Sequence, residues 1–198
     1  MCKRNKACIY MFIVVMVLQI IIPALSVILE TSYTLTSEAA DNITATWNIG
    51  AEGSRVTAKF YKSSGKLIIE GKGKIRDYPM WTYGLTDYKD KFKSIKICEG
   101  VTDIGIKAFH ACHYLKNVDA KYVKNIRESA FEGCTRLETI TMNNVENIDI
   151  KAFYNCQKLT VCIPHTITKI GEKAFYDVFK VKGDIDMPKY REYVSKKH

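Results

Sequence analysis

The sequence is poor in the groupings from which catalytic and metal sites are usually built. It has no Gly-x-Ser-x-Gly elbow and no cysteine–histidine arrangement apart from a repeat, so the familiar routes to an activated nucleophile are missing. No two cysteines stand in a CxxC pair, which excludes a zinc site of the usual spacing. The nearest approach to a phosphate cradle, Gly71-Lys72-Gly73-Lys74, lacks the rest of a P-loop. Of the four histidines, His110 and His113 are three apart, but no third ligand of matching phase accompanies them. With His165 and His198 they read as surface residues, so neither a metal nor a cofactor is expected. Lysines and arginines are scattered among acids as on a solvated face, which argues against a nucleic-acid partner.

Acidic residues are also missing before Glu30, and there the chain has the layout of an export signal. Lys3, Arg4 and Lys6 precede an almost unbroken apolar run from Met11 to Leu29. Ala24-Leu25-Ser26 places small residues for cleavage after Ser26, and cleavage after Ala24 is the near alternative. The run is also close to the ~20 residues that cross a bilayer, so an uncleaved signal anchor is the second reading. Both readings put the rest of the chain outside the cytoplasm. Without residues 1–26 the chain keeps 27 basic and 21 acidic residues, a net charge of +6, a moderate bias only. Residues 27–45 carry no apolar periodicity and read as a linker.

From residue 92 the sequence repeats. Ala108-Phe109, Ala130-Phe131, Ala152-Phe153 and Ala174-Phe175 recur at a spacing of 22. Ile104, Ile126, Ile148 and Ile170 hold a second column, and Val101, Val123, Val145 and Ile167 a third. Leu115, Leu137, Leu159 and Val181 read as a fourth, and Cys112, Cys134 and Cys156 fill a fifth that ends in Val178. A period in the twenties means one coil per repeat, and a single coil cannot bury its own apolar edge, so the coils must stack. Alternation in Leu115–Ala120 and Leu137–Met142 predicts a short strand per coil. The stretch Arg127–Glu132 predicts a turn of helix on the opposite side. In the third coil Val161 and Ile163 take the inward phase, which turns Cys162 outward. The cysteine column is expected to be buried thiol, with Cys98 and Cys162 the better candidates for exposure.

Gly100-Val101-Thr102-Asp103-Ile104-Gly105-Ile106-Lys107-Ala108-Phe109 resembles the repeat of BspA-like leucine-rich-repeat proteins. So do Ile126–Cys134 and Ile170–Phe175, although the family repeat is usually one residue longer and only Pro164 keeps its common proline. The resemblance implies a secreted or surface-exposed solenoid used for adhesion and protein binding. The expected architecture is a β-rich leucine-rich-repeat solenoid with short helical turns. About four 22-residue coils over 92–186 stand behind a β-hairpin cap at 46–91, and residues 187–198 form a tail. Trp47, Tyr78 and Trp81 are expected to cover the first coil.

Solenoids bind through their extended faces. Ser94, Lys96, Asn117, Asp119, Thr139, Thr141 and Thr160, with Cys162 beside them, should line the outward side of the strands. That face is polar and poor in aromatics, so it has no obvious hot spot. The expected partner is an extracellular or cell-surface protein, and the membrane enters only through the N-terminal segment if that is uncleaved. The alternative is a structural spacer within a cell-surface assembly.

Overall fold

The computed structural model describes residues 43–79 and 85–183. The expected signal, the linker up to residue 42, Trp81 and the tail 187–198 lie outside the described residues. The strands are β1 (Ile43–Asn48), β2 (Arg55–Tyr61), β3 (Lys66–Lys74), β4 (Ser94–Ile97), β5 (Val101–Ile104), β6 (Asn117–Asp119), β7 (Asn125–Ile126), β8 (Thr139–Thr141), β9 (Asn147–Ile148), β10 (Thr160–Cys162), β11 (Lys169–Ile170) and β12 (Lys180–Lys182). β1, β2 and β3 are antiparallel, with the β2–β3 turn at Ser63-Ser64-Gly65 as the alternation of Val56, Ala58 and Phe60 predicts. β1 starts at Ile43, slightly inside the expected linker.

β3 is long enough to serve two faces. Its first half, Lys66–Ile69, pairs in parallel with β4, and its second half, Gly73–Lys74, pairs with β5. A first parallel ladder then runs β3-β4-β6-β8-β10-β12, and a second runs β3-β5-β7-β9-β11. The rungs therefore begin at residue 66, before the repeat columns become readable in the sequence. Gly100 turns the corner between β4 and β5 at φ +95°, where a Cβ would run into the Gly71 carbonyl.

The third side of each coil differs from expectation. No helical turn forms at Arg127–Glu132, because left-handed residues interrupt it: φ is positive at Lys107 and Ala111, Ser129 and Gly133, Lys151 and Asn155, and Lys173 and Asp177. These reversals turn alternate N–H groups towards the next coil. Lys107, Phe109 and Ala111 donate to the carbonyls of Glu128, Ala130 and Glu132 at 3.0, 2.8 and 2.8 Å. Ser129, Phe131 and Gly133 repeat the pattern one coil on, at 3.0, 2.8 and 2.9 Å. A helix would have kept those donors within its own turn. The left-handed residues cost about 1–2 kcal/mol each when not glycine. Three inter-coil bonds of ~1 kcal/mol each offset that strain.

Inside this three-sided stack the columns predicted from the spacing fill the core. Phe109, Phe131, Phe153 and Phe175 are fully buried and stack with centroids 5.4 Å apart at each step. Cys112, Cys134 and Cys156 are buried and form no disulfide. The Cys134 and Cys156 thiols donate to the carbonyls of Phe109 and Phe131 at 3.1 and 3.2 Å. Contact with the Cys134 sulfur and full burial push the Cys112 thiol well above its ordinary range, and burial does the same for Cys156. Cys162 is exposed and Cys98 half-buried, while Val161 and Ile163 face in.

One column assignment is wrong. Val181 pairs with Val161 and not with Leu159, because the last strand arrives 20 residues after β10, not 22. Phe179 therefore stands at the end of the leucine row and is 62% exposed. At the other end Trp47 packs edge-on against Tyr88, and Tyr88 and Phe92 pack against Phe60, at 5.2–5.5 Å. Tyr78 is 42% exposed, with the Lys107 ammonium over its ring.

The second ladder carries a half-buried polar row that starts from one buried carboxylate. Asp103, only 4% exposed, accepts from Asn125 and from the Arg127 guanidinium at 3.0 Å each. Asn147 donates to Asn125 at 2.8 Å, and Thr168 to Asn147 at 3.1 Å. Arg127 also reaches Asp149 at 3.6 Å, and Lys169 reaches Asp149 at 3.4 Å. Side chains of successive coils thus hold the register that their backbones define.

Phe131→Ala is expected to cost about 3–5 kcal/mol by opening the middle of the ring stack. An unchanged denaturant midpoint would take that ring out of the core. Asp103→Ala takes their 3.0 Å acceptor from Asn125 and Arg127, leaving Arg127 only its longer pair with Asp149, and should cost about 1–3 kcal/mol. Lys124→Ala breaks only an exposed pair with Glu146 and should cost under ~1 kcal/mol; equal effects would contradict the structural role of the buried Asp103 carboxylate. In a thiol-alkylation time course, Cys162 should react in the native protein, whereas Cys112, Cys134 and Cys156 should react only after unfolding.

Candidate functional site: the outward face of the first ladder

Strand alternation decides which side chains are free. In β4, β6, β8 and β10 the central apolar residues Ile95, Val118, Ile140 and Val161 point into the core, so their neighbours must point out. All seven predicted residues do so. Lys96, Asn117, Thr139 and Thr141 are exposed, and Ser94, Asp119 and Thr160 are half-exposed. Parallel pairing sets them in two rows across the strands. Ser94, Asn117, Thr139 and Thr160 form one row, and Lys96, Asp119 and Thr141 the other. Within the first row the Thr139 hydroxyl donates to the Asn117 carbonyl oxygen at 2.8 Å.

Six of the seven line a shallow depression of about 280 Å³ together with Lys66, and Thr160 lies on the next strand. The sequence reading missed the ends of both rows. Lys66 and Ile68 of β3 extend them on one side, Lys180 and Lys182 of β12 on the other. The spacing hid them: β3 precedes β4 by 28 residues, and β12 follows β10 by 20, so neither falls on the 22-residue column. The visible signal was the alternation in Lys66–Ile69 and Lys180–Lys182 itself.

The other candidate chemistry disperses. His113 is exposed, with Nδ1 3.1 Å from the Gly133 carbonyl. His110 departs from the surface reading: it is half-buried, its Nδ1 has no hydrogen-bond partner, and burial pushes its pKa below the ordinary value. His165 borders a depression of about 450 Å³ with Met142, Cys162, Ile163 and Pro164. A third depression, about 460 Å³ beside the second ladder, is lined by Arg127, Asp149 and Lys169, whose charges already pair from coil to coil. Among the described residues no three His, Cys, Asp or Glu side chains converge to hold a metal. The arrangement on the first ladder can offer hydroxyl, amide and ammonium groups to a partner, in register on a hydrogen-bonded support.

Comparison with known proteins agrees with this architecture. A crystal structure of a leucine-rich repeat protein from Eubacterium ventriosum aligns with a TM-score of 0.55 at 20% identity, covering 72% of this chain and 44% of that one. A leucine-rich repeat protein from Bacteroides ovatus aligns at 26% identity with a TM-score of 0.44, over 64% of this chain and 39% of its own. The Treponema pallidum leucine-rich repeat protein aligns at 14% identity and a TM-score of 0.37, over 70% and 96%. The chain thus spans less than half the length of the first two. No curated protein matches it. The BspA type leucine-rich repeat region matches residues 87–197 in six copies. With its coils, its register and more than half of its length accounted for by that repeat, the chain belongs to the BspA-type leucine-rich repeat family.

Proposed function

We propose that the chain is a secreted or cell-surface binding module that engages an extracellular protein through the outward face of its first ladder. The observation that carries this reading is the two rows themselves. Seven polar side chains stand side by side on strands fixed from both sides, and the core needs none of them. A surface already ordered before contact lowers the entropic cost of binding. Family membership supports a binding role over a catalytic one, and the basic and apolar N-terminal sequence supports export. The adhesive role is the specific form of this proposal.

The purified chain, applied to immobilised extracellular-matrix and cell-surface proteins, is expected to show saturable binding that survives physiological salt. Changing Asn117, Thr139 and Thr141 together to Ala should weaken that binding at least about tenfold, the loss of ~1.4 kcal/mol. His113→Ala, on another side of the coil, should leave it unchanged. Binding removed by salt, or indifferent to the triple change, would instead favour a spacer with no ligand of its own.

A further inference from the structure

Which partner chemistry the face would select follows from the lysines at its ends. Some lysines of the stack meet acids on neighbouring strands or coils. Lys59 pairs with Glu70, Lys116 with Glu138, Lys124 with Glu146, and Lys169 with Asp149. Lys66 and Lys96 on one side, Lys180 and Lys182 on the other, form no ion pair among the described residues. Lys96, Lys180 and Lys182 are exposed and Lys66 half-exposed. Between them lie the neutral groups of Ser94, Asn117, Thr139, Thr141 and Thr160. The single acid of these rows, Asp119, sits inside them next to Lys96, and its carboxylate accepts from the Lys121 N–H at 3.4 Å.

Strands lie ~4.8 Å apart, so Lys96 and Lys182, four steps apart, are separated by ~19 Å, and Lys66 and Lys180, five steps apart, by ~24 Å. At physiological salt the screening length is ~8 Å, so the two ends act as separate cationic posts. Asp119 disfavours negative charge over the middle. An extended peptide advances ~3.3 Å per residue, so two carboxylates that reach both posts stand about six or seven residues apart.

Building on the binding face proposed above, we infer that its partner presents an extended segment with two acidic residues about six or seven positions apart and a neutral, hydrogen-bonding middle. The segment crosses the strands of the first ladder. Its end carboxylates meet Lys66/Lys96 and Lys180/Lys182, and its polar middle meets Asn117, Thr139 and Thr141.

The test uses the full chain and fluorescently labelled synthetic peptides of Ser, Thr and Asn, read by anisotropy at physiological salt. One peptide carries Glu at positions six apart, one carries Glu at positions two apart, and one carries Gln in place of both. The widely spaced Glu peptide is expected to bind best and the Gln peptide worst. Lys66→Gln with Lys96→Gln, and separately Lys180→Gln with Lys182→Gln, should each weaken the first about three- to tenfold, as two exposed ion pairs are worth. Lys124→Gln, beside β7 of the second ladder, should not; thermal melts of all variants exclude unfolding. Equal binding of the three peptides, no binding of the widely spaced one, or lysine-dependent binding of the anionic glycan polygalacturonate in its place would overturn the inference. Capture by a matrix protein that survives both lysine pairs but fails in the Asn117/Thr139/Thr141 variant would overturn this inference alone. Loss of capture to neither change would overturn the binding face as well.

Discussion

Everything in this protein depends on hydrogen bonds between coils. A 22-residue coil has too little apolar surface to close a core alone, and its strands of two to four residues are too short to stand as a sheet. What makes them persist is that each side of the coil donates to the next: two sides through parallel strands and the third through alternate amides of a left-handed turn. The third side is the costly one, because lysine, serine, alanine and asparagine occupy positive-φ positions that glycine would take without strain. The Phe109–Phe175 ring stack lies beneath those turns and supplies the burial that holds them.

Side chains repeat the logic of the backbone. Identical or similar residues recur at one height of successive coils, so rings meet rings, thiols meet carbonyls, and Asn125 and Asn147 continue the row that Asp103 begins. Where a charge is buried, as at Asp103, it is satisfied from the next coil by Arg127 and Asn125. The cysteines belong to this packing, and their raised thiol pKa values follow from it. Apart from the Thr139–Asn117 hydrogen bond, the outward rows of the first ladder take no part in these interactions. The strands beneath them are fixed by their neighbours on both sides.

Much of this was legible in the residues, for identifiable reasons. The Ala-Phe, isoleucine, valine and cysteine columns announced the stack because a solenoid repeats its core at a constant interval, and strand alternation then assigned Ser94 to Thr160 outward. The turn at Arg127–Glu132 was misread because helix propensity describes a segment by itself, whereas its amides are claimed by another coil. Val181 was misplaced because a fixed 22-residue interval cannot register the two residues missing before β12, and pairing obeys the inward side chain over the count. The lysines at the ends of the face escaped for the same reason. Tyr88, which covers Trp47 and Phe60, lies in a 3-10 segment at Leu85–Lys91 that no column marks.

The claim beneath all the others is that three ladders, not two, tie the coils together. Native-state amide hydrogen exchange reads it directly. If the account holds, the Phe109, Phe131 and Phe153 amides are protected to the same order as those of β6 and β8, since both exchange only when coils separate. If those phenylalanine amides exchange at the rate of an exposed loop while β6 and β8 stay protected, the turn side does not bind coil to coil, and this account of how the face is held fails.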